Sequence, residues 1–271
     1  MIDIGLNIGS DKFDKDVELV LKRGIDSGLS GYIFTGTSLQ NTKKTKSIAE
    51  KNKEISRFTS GIHPHNAKLW EEVKAEIAIL AEHPLCVSVG ECGLDYDRMF
   101  STEVQQKDAL EGHMELALKL NKPLFLHIRG IDGDIQSEKK ILADFKEIYM
   151  PYKEKGVKGV VHCFTMGSRS MEALKALDLY FGITGWVCDE KRGKVLQEVV
   201  KYIPNNRIMI ETDAPYLTPP EARKLLPVKG RNEPMFLNLV LEKVAKIKNK
   251  QPSELNELMN ANIERLFNFK F

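Results

Sequence analysis

Eight short apolar runs recur along the chain, each followed by a segment with helical spacing, and this alternation constrains the fold more than any other feature. The runs are Ile2–Asn7, Tyr32–Thr37, Arg57–His63, Cys86–Glu91, Pro123–His127, Val157–His162, Leu179–Thr184 and Ile208–Asp213. Their middles carry few polar residues, as parallel strands covered on both faces require. The intervening segments place apolar residues on one helical face. Phe13, Val17, Val20, Leu21 and Gly24 form one such face, with Gly28 as the stop. Val104, Leu110, Met114, Ala117 and Leu118 form another, which Lys122–Pro123 ends. Near the C-terminus, Phe236 to Ile247 and Leu255 to Leu266 read as two helices with a cap at Pro252–Ser253.

A βα repeat with right-handed crossovers leaves two architectures, an open doubly wound sheet or a closed (β/α)8 barrel. A dinucleotide-binding sheet needs a Gly-rich turn after its first strand, and Gly5 with Gly9 imitates it poorly. Eight runs favour an α/β fold of the (β/α)8 TIM-barrel type, with residues 1–271 as one domain. Pro219–Pro234 then becomes a loop over the barrel mouth. Composition narrows the classes further. Forty Lys+Arg against thirty-eight Asp+Glu is far from the basic excess of a protein that holds nucleic acid by bulk charge. No apolar run reaches the ~20 residues of a membrane span. The start lacks a basic leader, and the four cysteines lack CxxC spacing, so a cytoplasmic protein with free thiols is expected.

In a barrel the C-terminal strand ends converge on one mouth, where catalysis sits. Here those ends offer Asn7, Thr35 with Thr37, His63 with His65, Glu91, His127, His162, Thr184 and Asp213. The chain holds six histidines, so chance would put well under one at eight strand ends, and three are there. Glu91, His127, His162 and Asp213 make a mixed imidazole–carboxylate set, the donor chemistry of a divalent hydrolytic metal site. His83 precedes a proline at a helix end and His113 lies on a helical face; both read as structural.

Several strings carry a resemblance. Gly61-Ile-His-Pro-His65, Gly90-Glu-Cys-Gly-Leu-Asp95, Pro123-Leu-Phe-Leu-His-Ile-Arg129, Val161-His-Cys-Phe164, Gly182-Ile-Thr-Gly-Trp-Val-Cys-Asp-Glu190, Ile210-Glu-Thr-Asp-Ala-Pro215 and Arg231-Asn-Glu-Pro234 resemble the TatD family over essentially the whole chain. The resemblance implies a metal-dependent deoxyribonuclease on an amidohydrolase-like barrel. Many members open with Asp-x-His-x-His; here the stretch is Asp3-Ile-Gly5-Leu-Asn7, which resembles the TatD-proper subgroup that lacks both imidazoles and keeps nuclease activity. Arg129-Gly-Ile131 stands where the family usually reads Arg-Asp-Ala.

Phosphodiester hydrolysis then assigns expected roles. Glu91, His127 and His162 hold one ion, and Asp213 orients or deprotonates the attacking water. His63 or His65 contacts the phosphate or protonates the leaving oxygen, or else the two support Glu211 and Asp213. Arg129, Arg231 and Asn232 are candidate phosphate contacts, as are Lys191 and Arg192, and Trp186 and Tyr96 are candidate base-stacking rings. The ion is expected to be magnesium, with manganese or zinc as alternatives. The expected substrate is the 3′ end of single-stranded DNA, with RNA as an alternative, and the chain is expected to work as a monomer. Rival readings are an amidohydrolase-type enzyme acting on a cyclic amide or small phosphate ester, and a non-catalytic metal- or nucleic-acid-binding barrel. Against the first, the fifth run ends at His127 and no strand end carries a lysine suited to bridging two metals as a carbamate.

Overall fold

A strand forms at each apolar run. A computed structural model describes residues 1–271. Its strands are β1 (Ile2–Leu6), β2 (Gly31–Phe34), β3 (Ser56–Ser60), β4 (Cys86–Asp95), β5 (Leu124–Arg129), β6 (Gly159–Val161), β7 (Tyr180–Ile183) and β8 (Ile208–Ile210). They form one parallel sheet in chain order. The sheet curls on itself: the Asp213 N–H donates to Gly5 O at 2.9 Å and the Asn7 N–H donates to Ala214 O at 2.9 Å, joining the last strand's exit to the first strand. The helices are α1 (Val17–Asp26), α2 (Leu39–Lys51), α3 (Trp70–Ala81), α4 (Glu103–Leu120), α5 (Ile135–Lys153), α6 (Ser168–Ala176), α7 (Lys194–Val200), α8 (Leu237–Ile247) and α9 (Pro252–Phe267). This is the expected (β/α)8 architecture.

Local chemistry explains the element ends. Gly28 follows α1 with φ +99°, the left-handed stop that a side chain would strain. Thr102 caps α4, accepting from the Gln105 N–H while Gln105 reaches back to the Thr102 N–H. Pro252 occupies the first helical position of α9 with Gln251 before it, so Ser253 lies inside the helix and is not its cap. Inside the barrel, Ile4, Ile33, Val87, Phe125, Val160, Tyr180 and Met209 pack with Ile263, Leu266 and Phe267 of α9, which plugs the opening opposite the mouth. No helix is long and apolar enough to cross a membrane.

Strand ends differ from the sequence expectation in two ways that shape the site. The third, sixth and eighth strands stop early, so His63, His162 and Asp213 sit in the turns just beyond them. β4 instead runs four residues past Glu91, pairing Asp95 with Arg129 of β5 after a register shift between Gly90 and Cys92. Glycine permits this. Gly93 has φ +145°, and a Cβ there would lie 1.8 Å from His127 O, so only a bare Cα lets the two strands approach.

Candidate active site

β4 supplies two carboxylates to the mouth, and four imidazoles gather on them. Glu91 Oε1 lies 2.7 Å from His162 Nε2, 3.1 Å from His127 Nδ1 and 3.3 Å from His63 Nε2. Asp95 Oδ2 lies 2.8 Å from His65 Nε2 and 3.3 Å from His127 Nε2, so His127 spans both acids. Donor atoms of His63, Glu91 and His127 lie within 4.8 Å of one another, close enough to share a metal ion. Electrostatics follow from this crowding. Burial alone would raise Glu91, yet His162, His63 and His127 together hold its carboxyl well below the usual range. Asp95 is held low in the same way, with His127 and His65 outweighing burial. Burial dominates at His63 and pushes it down to about 4, which leaves a neutral ring whose Nδ1 accepts from the His65 N–H at 3.1 Å.

The exit of β8 supplies a second pair of acids. Glu211 is fully buried in a space made by two glycines; a Cβ on Gly5 would lie 2.1 Å from its Oε2, and one on Gly182 would lie 2.6 Å from its Oε1. Its Oε1 accepts from the Cys163 N–H. Its Oε2 has no hydrogen-bond partner and faces His162 Nδ1 at 3.5 Å, an atom equally without one. Asp213 stands at φ +51°, with Oδ1 accepting from Asn7 Nδ2 at 2.7 Å. Burial pushes Asp213 up to about 7, against the pull of His162 and with Glu211 adding to the rise. Asp3 braces the turn beneath, accepting from the Thr212 N–H at 2.9 Å, from the Gly5 N–H at 3.2 Å and from the Thr212 hydroxyl.

This donor set fits a divalent cation. Imidazoles and carboxylates converge: against burial, Glu91 and Glu211 raise His162 well above the ordinary value and Asp95 and Glu91 raise His127, so protons hold the positive charge that a cation would replace. Two buried polar atoms beside them lack partners, which is costly unless a further group satisfies them. Glu91, His127, His63 and His162 converge at one acid oxygen, whereas Asp213 joins from across the mouth through its proximity to His162 and Glu211.

The residues named for substrate contact divide. Arg129 stands half-exposed at the rim, its Nη2 3.0 Å from Asp97. Trp186 is half-buried under the Arg192 guanidinium, 4.6 Å from the ring centre, beside a cavity of about 290 Å³ lined by Asp189 and Arg223. Lys191 and Arg192 have their N–H groups on Asp189 Oδ1. Three expectations require correction. Arg231 is 4% exposed and forks onto Asp16 and Glu233, with its guanidinium over Phe13, so it has no donor face for a phosphate. Asn232 is fully buried and donates to Thr212 O at 3.2 Å, supporting the β8 exit. Tyr96 is 5% exposed, its hydroxyl donating to Asp144 and its ring covered by Lys140, so no base can reach it.

Asp95 is the site residue that reading the sequence missed. Its signal was present: it follows Glu91 by four residues, which on a continuing strand puts both acids on one face. The fourth apolar run ends at Glu91, so Asp95 falls outside it.

With this geometry in view, comparison with known proteins is decisive. The family described as TatD related DNase matches residues 2–268. The chain belongs to this family. It is 40% identical over 268 residues to the 3′-5′ ssDNA/RNA exonuclease TatD of Erwinia billingiae, covering 98% of each chain. To the protein of the same name from Citrobacter koseri it is 37% identical over 272 residues, covering 100% of both. Among solved structures, the TatD family hydrolase of Entamoeba histolytica superposes with a TM-score of 0.84 at 27% identity, covering 98% of this chain and 97% of that one. The TatD homologue YjjV of Escherichia coli K12 gives 0.83 at 24% identity over 100% and 98%, a likeness of fold.

Proposed function

We infer that the protein is a divalent-metal-dependent nuclease that removes nucleotides from the 3′ end of single-stranded DNA or RNA. One observation carries the reading: three imidazoles ring a single oxygen of Glu91 at the mouth of a barrel that matches the TatD family along its length. Near-full-length relatives named as 3′-5′ ssDNA/RNA exonucleases support the substrate class.

The residues divide the chemistry. Glu91, His127, His63 and His162 would hold the ion, proposed to be magnesium with manganese also active. Such an ion, when bound, neutralises phosphoryl charge and lowers the pKa of its water. Asp213, pushed up to about 7 by burial and fixed through Asn7, is placed to accept a proton from the attacking water. His65 is half-buried at the rim with its Nε2 on Asp95, and it is the proposed donor to the leaving oxygen. Arg129 is the proposed contact to a non-bridging oxygen, a role for which Asp97 holds its guanidinium in place.

A degradation time course on a 3′-labelled single strand tests the whole reading. Mononucleotide release is expected to stop with chelator and return with magnesium, and a circular single strand is expected to persist. Cleavage that ignores chelator, or that cuts circles as fast as linear strands, refutes it. Asp213→Asn is expected to lower turnover by about 10²–10⁴-fold with metal content unchanged; near-wild-type turnover refutes the role given to Asp213.

A further inference from the structure

Phe100 is a large apolar ring that the fold holds in water beside the reactive cluster. It is 61% exposed, and its ring meets the His65 ring edge-on with centroids 4.8 Å apart. Through His65, Asp95 and His127, a short chain of contacts links this ring to Glu91.

The exposure does not come from a loose loop. Asp95 Oδ1 accepts from the Asp97 and Arg98 N–H groups at 3.0 and 2.9 Å. Gln106, buried on α4, accepts from the Asp95 N–H at 2.7 Å and donates to Asp95 O and Ser101 O. The Ser101 hydroxyl donates to His65 O at 3.1 Å and accepts from the Lys68 N–H at 3.2 Å. The segment that carries Phe100 is therefore pinned at both ends and tied to the catalytic histidine. A collapsing loop would bury this ring; a pinned one presents it. Of the other rings near the mouth, Tyr96 is buried, Trp186 lies under Arg192, and Tyr216, 50% exposed, carries Lys12 over one face and touches none of the histidines.

We propose that Phe100 is a stacking platform for a nucleobase flanking the scissile phosphate. The inference rests on the nuclease reading above and deepens it. Stacking is indifferent to base identity, because every base offers a π-face. It does demand a base free of its duplex neighbours, so the platform selects unpaired ends and discriminates against a sugar-phosphate that lacks its base.

Steady-state kinetics on short single strands test this. Each strand carries either normal nucleotides or one abasic residue, placed on the 3′ or the 5′ side of the first scissile phosphate. On the normal strand, Phe100→Ala is expected to lower kcat/KM by about 5- to 150-fold, mainly through KM, as loss of one base–aromatic stack predicts. Phe100→Trp is expected to restore it. On the strand that is abasic at the stacked position, wild type is already poor and Phe100→Ala costs less than about 3-fold. Equal losses on normal and abasic strands, or a loss confined to kcat, would make Phe100 a structural residue and overturn the proposal. So would an unchanged kcat/KM in a variant whose wild-type parent degrades the strand. Failure of wild type itself on the normal strand would instead strike the nuclease reading.

Discussion

Gly5 and Asn7 occupy the positions where many TatD proteins carry imidazoles, and both have been put to use. The missing side chain at Gly5 is the space that Glu211 fills, and the Asn7 amide is the donor that fixes Asp213. An alanine at position 5 would bring its Cβ within 2.1 Å of Glu211 Oε2 and 3.1 Å of its Cδ, so the carboxylate must move in a region where Gly182 crowds it from the other side. Gly5→Ala is expected to destabilise the protein by about 1–3 kcal/mol, the usual cost of overpacking. Urea unfolding checks it, with Glu211→Ala as the second arm of a double-mutant cycle. In that background Gly5→Ala should cost distinctly less, because the clashing atoms are gone. An equal cost in both backgrounds would place the penalty elsewhere.

At the scale of elements, α4 links the core to the His63 turn through a histidine that reads from sequence as structural. His113 is fully buried, with Nδ1 on Ala109 O and Nε2 accepting from the Ile62 N–H at 3.0 Å, one residue before His63. The indole of Trp70 covers the ring. Burial pushes His113 down to about 4, against an ordinary value of about 6.5. Between those values the unfolded chain binds the proton and the folded one does not, so stability rises with pH there and falls as pH drops from 6.5 toward 4. Over that window His113 alone is expected to remove about 1 kcal/mol per pH unit. Urea midpoints between pH 7 and 5 should therefore fall more steeply for wild type than for His113→Gln, whose side chain does not titrate; parallel lines would refute the assignment. What the sequence made legible follows from the same physics. Buried parallel strands must be apolar, so a strand forms at each of the eight runs. Strand ends depend on contacts with neighbours, so the four residues that β4 adds past Glu91 lie outside the apolar run, and only the four-residue spacing from Glu91 pointed to Asp95. Arg231, Asn232 and Tyr96 looked like exposed binding groups because their partners, Asp16, Thr212 and Asp144, are remote in the chain and meet them only after folding.

For the molecule as a whole, the decisive quantity is where the positive charge goes. Forty basic residues face thirty-eight acidic ones, and much of the basic charge near the mouth is already spoken for. Arg129 pairs with Asp97, Arg192 with Asp189, and Arg23 and Arg231 with Asp16 and Glu233. A protein built this way cannot track a long stretch of backbone by charge. It must gain its hold on a strand end from the metal cluster and a few rim contacts, with about 2–4 phosphates neutralised. For single strands each neutralised phosphate contributes about 0.7 to the salt exponent, so log K against log[salt] is expected to fall with a slope of about −1.5 to −3. Fluorescence anisotropy of a labelled single strand on Asp213→Asn with magnesium present, where cleavage is slow and the metal stays, repeated across salt concentrations, reads this directly. A slope steeper than about −5 would require a basic track longer than the mouth provides, and would move nucleic-acid binding to a different face of the barrel.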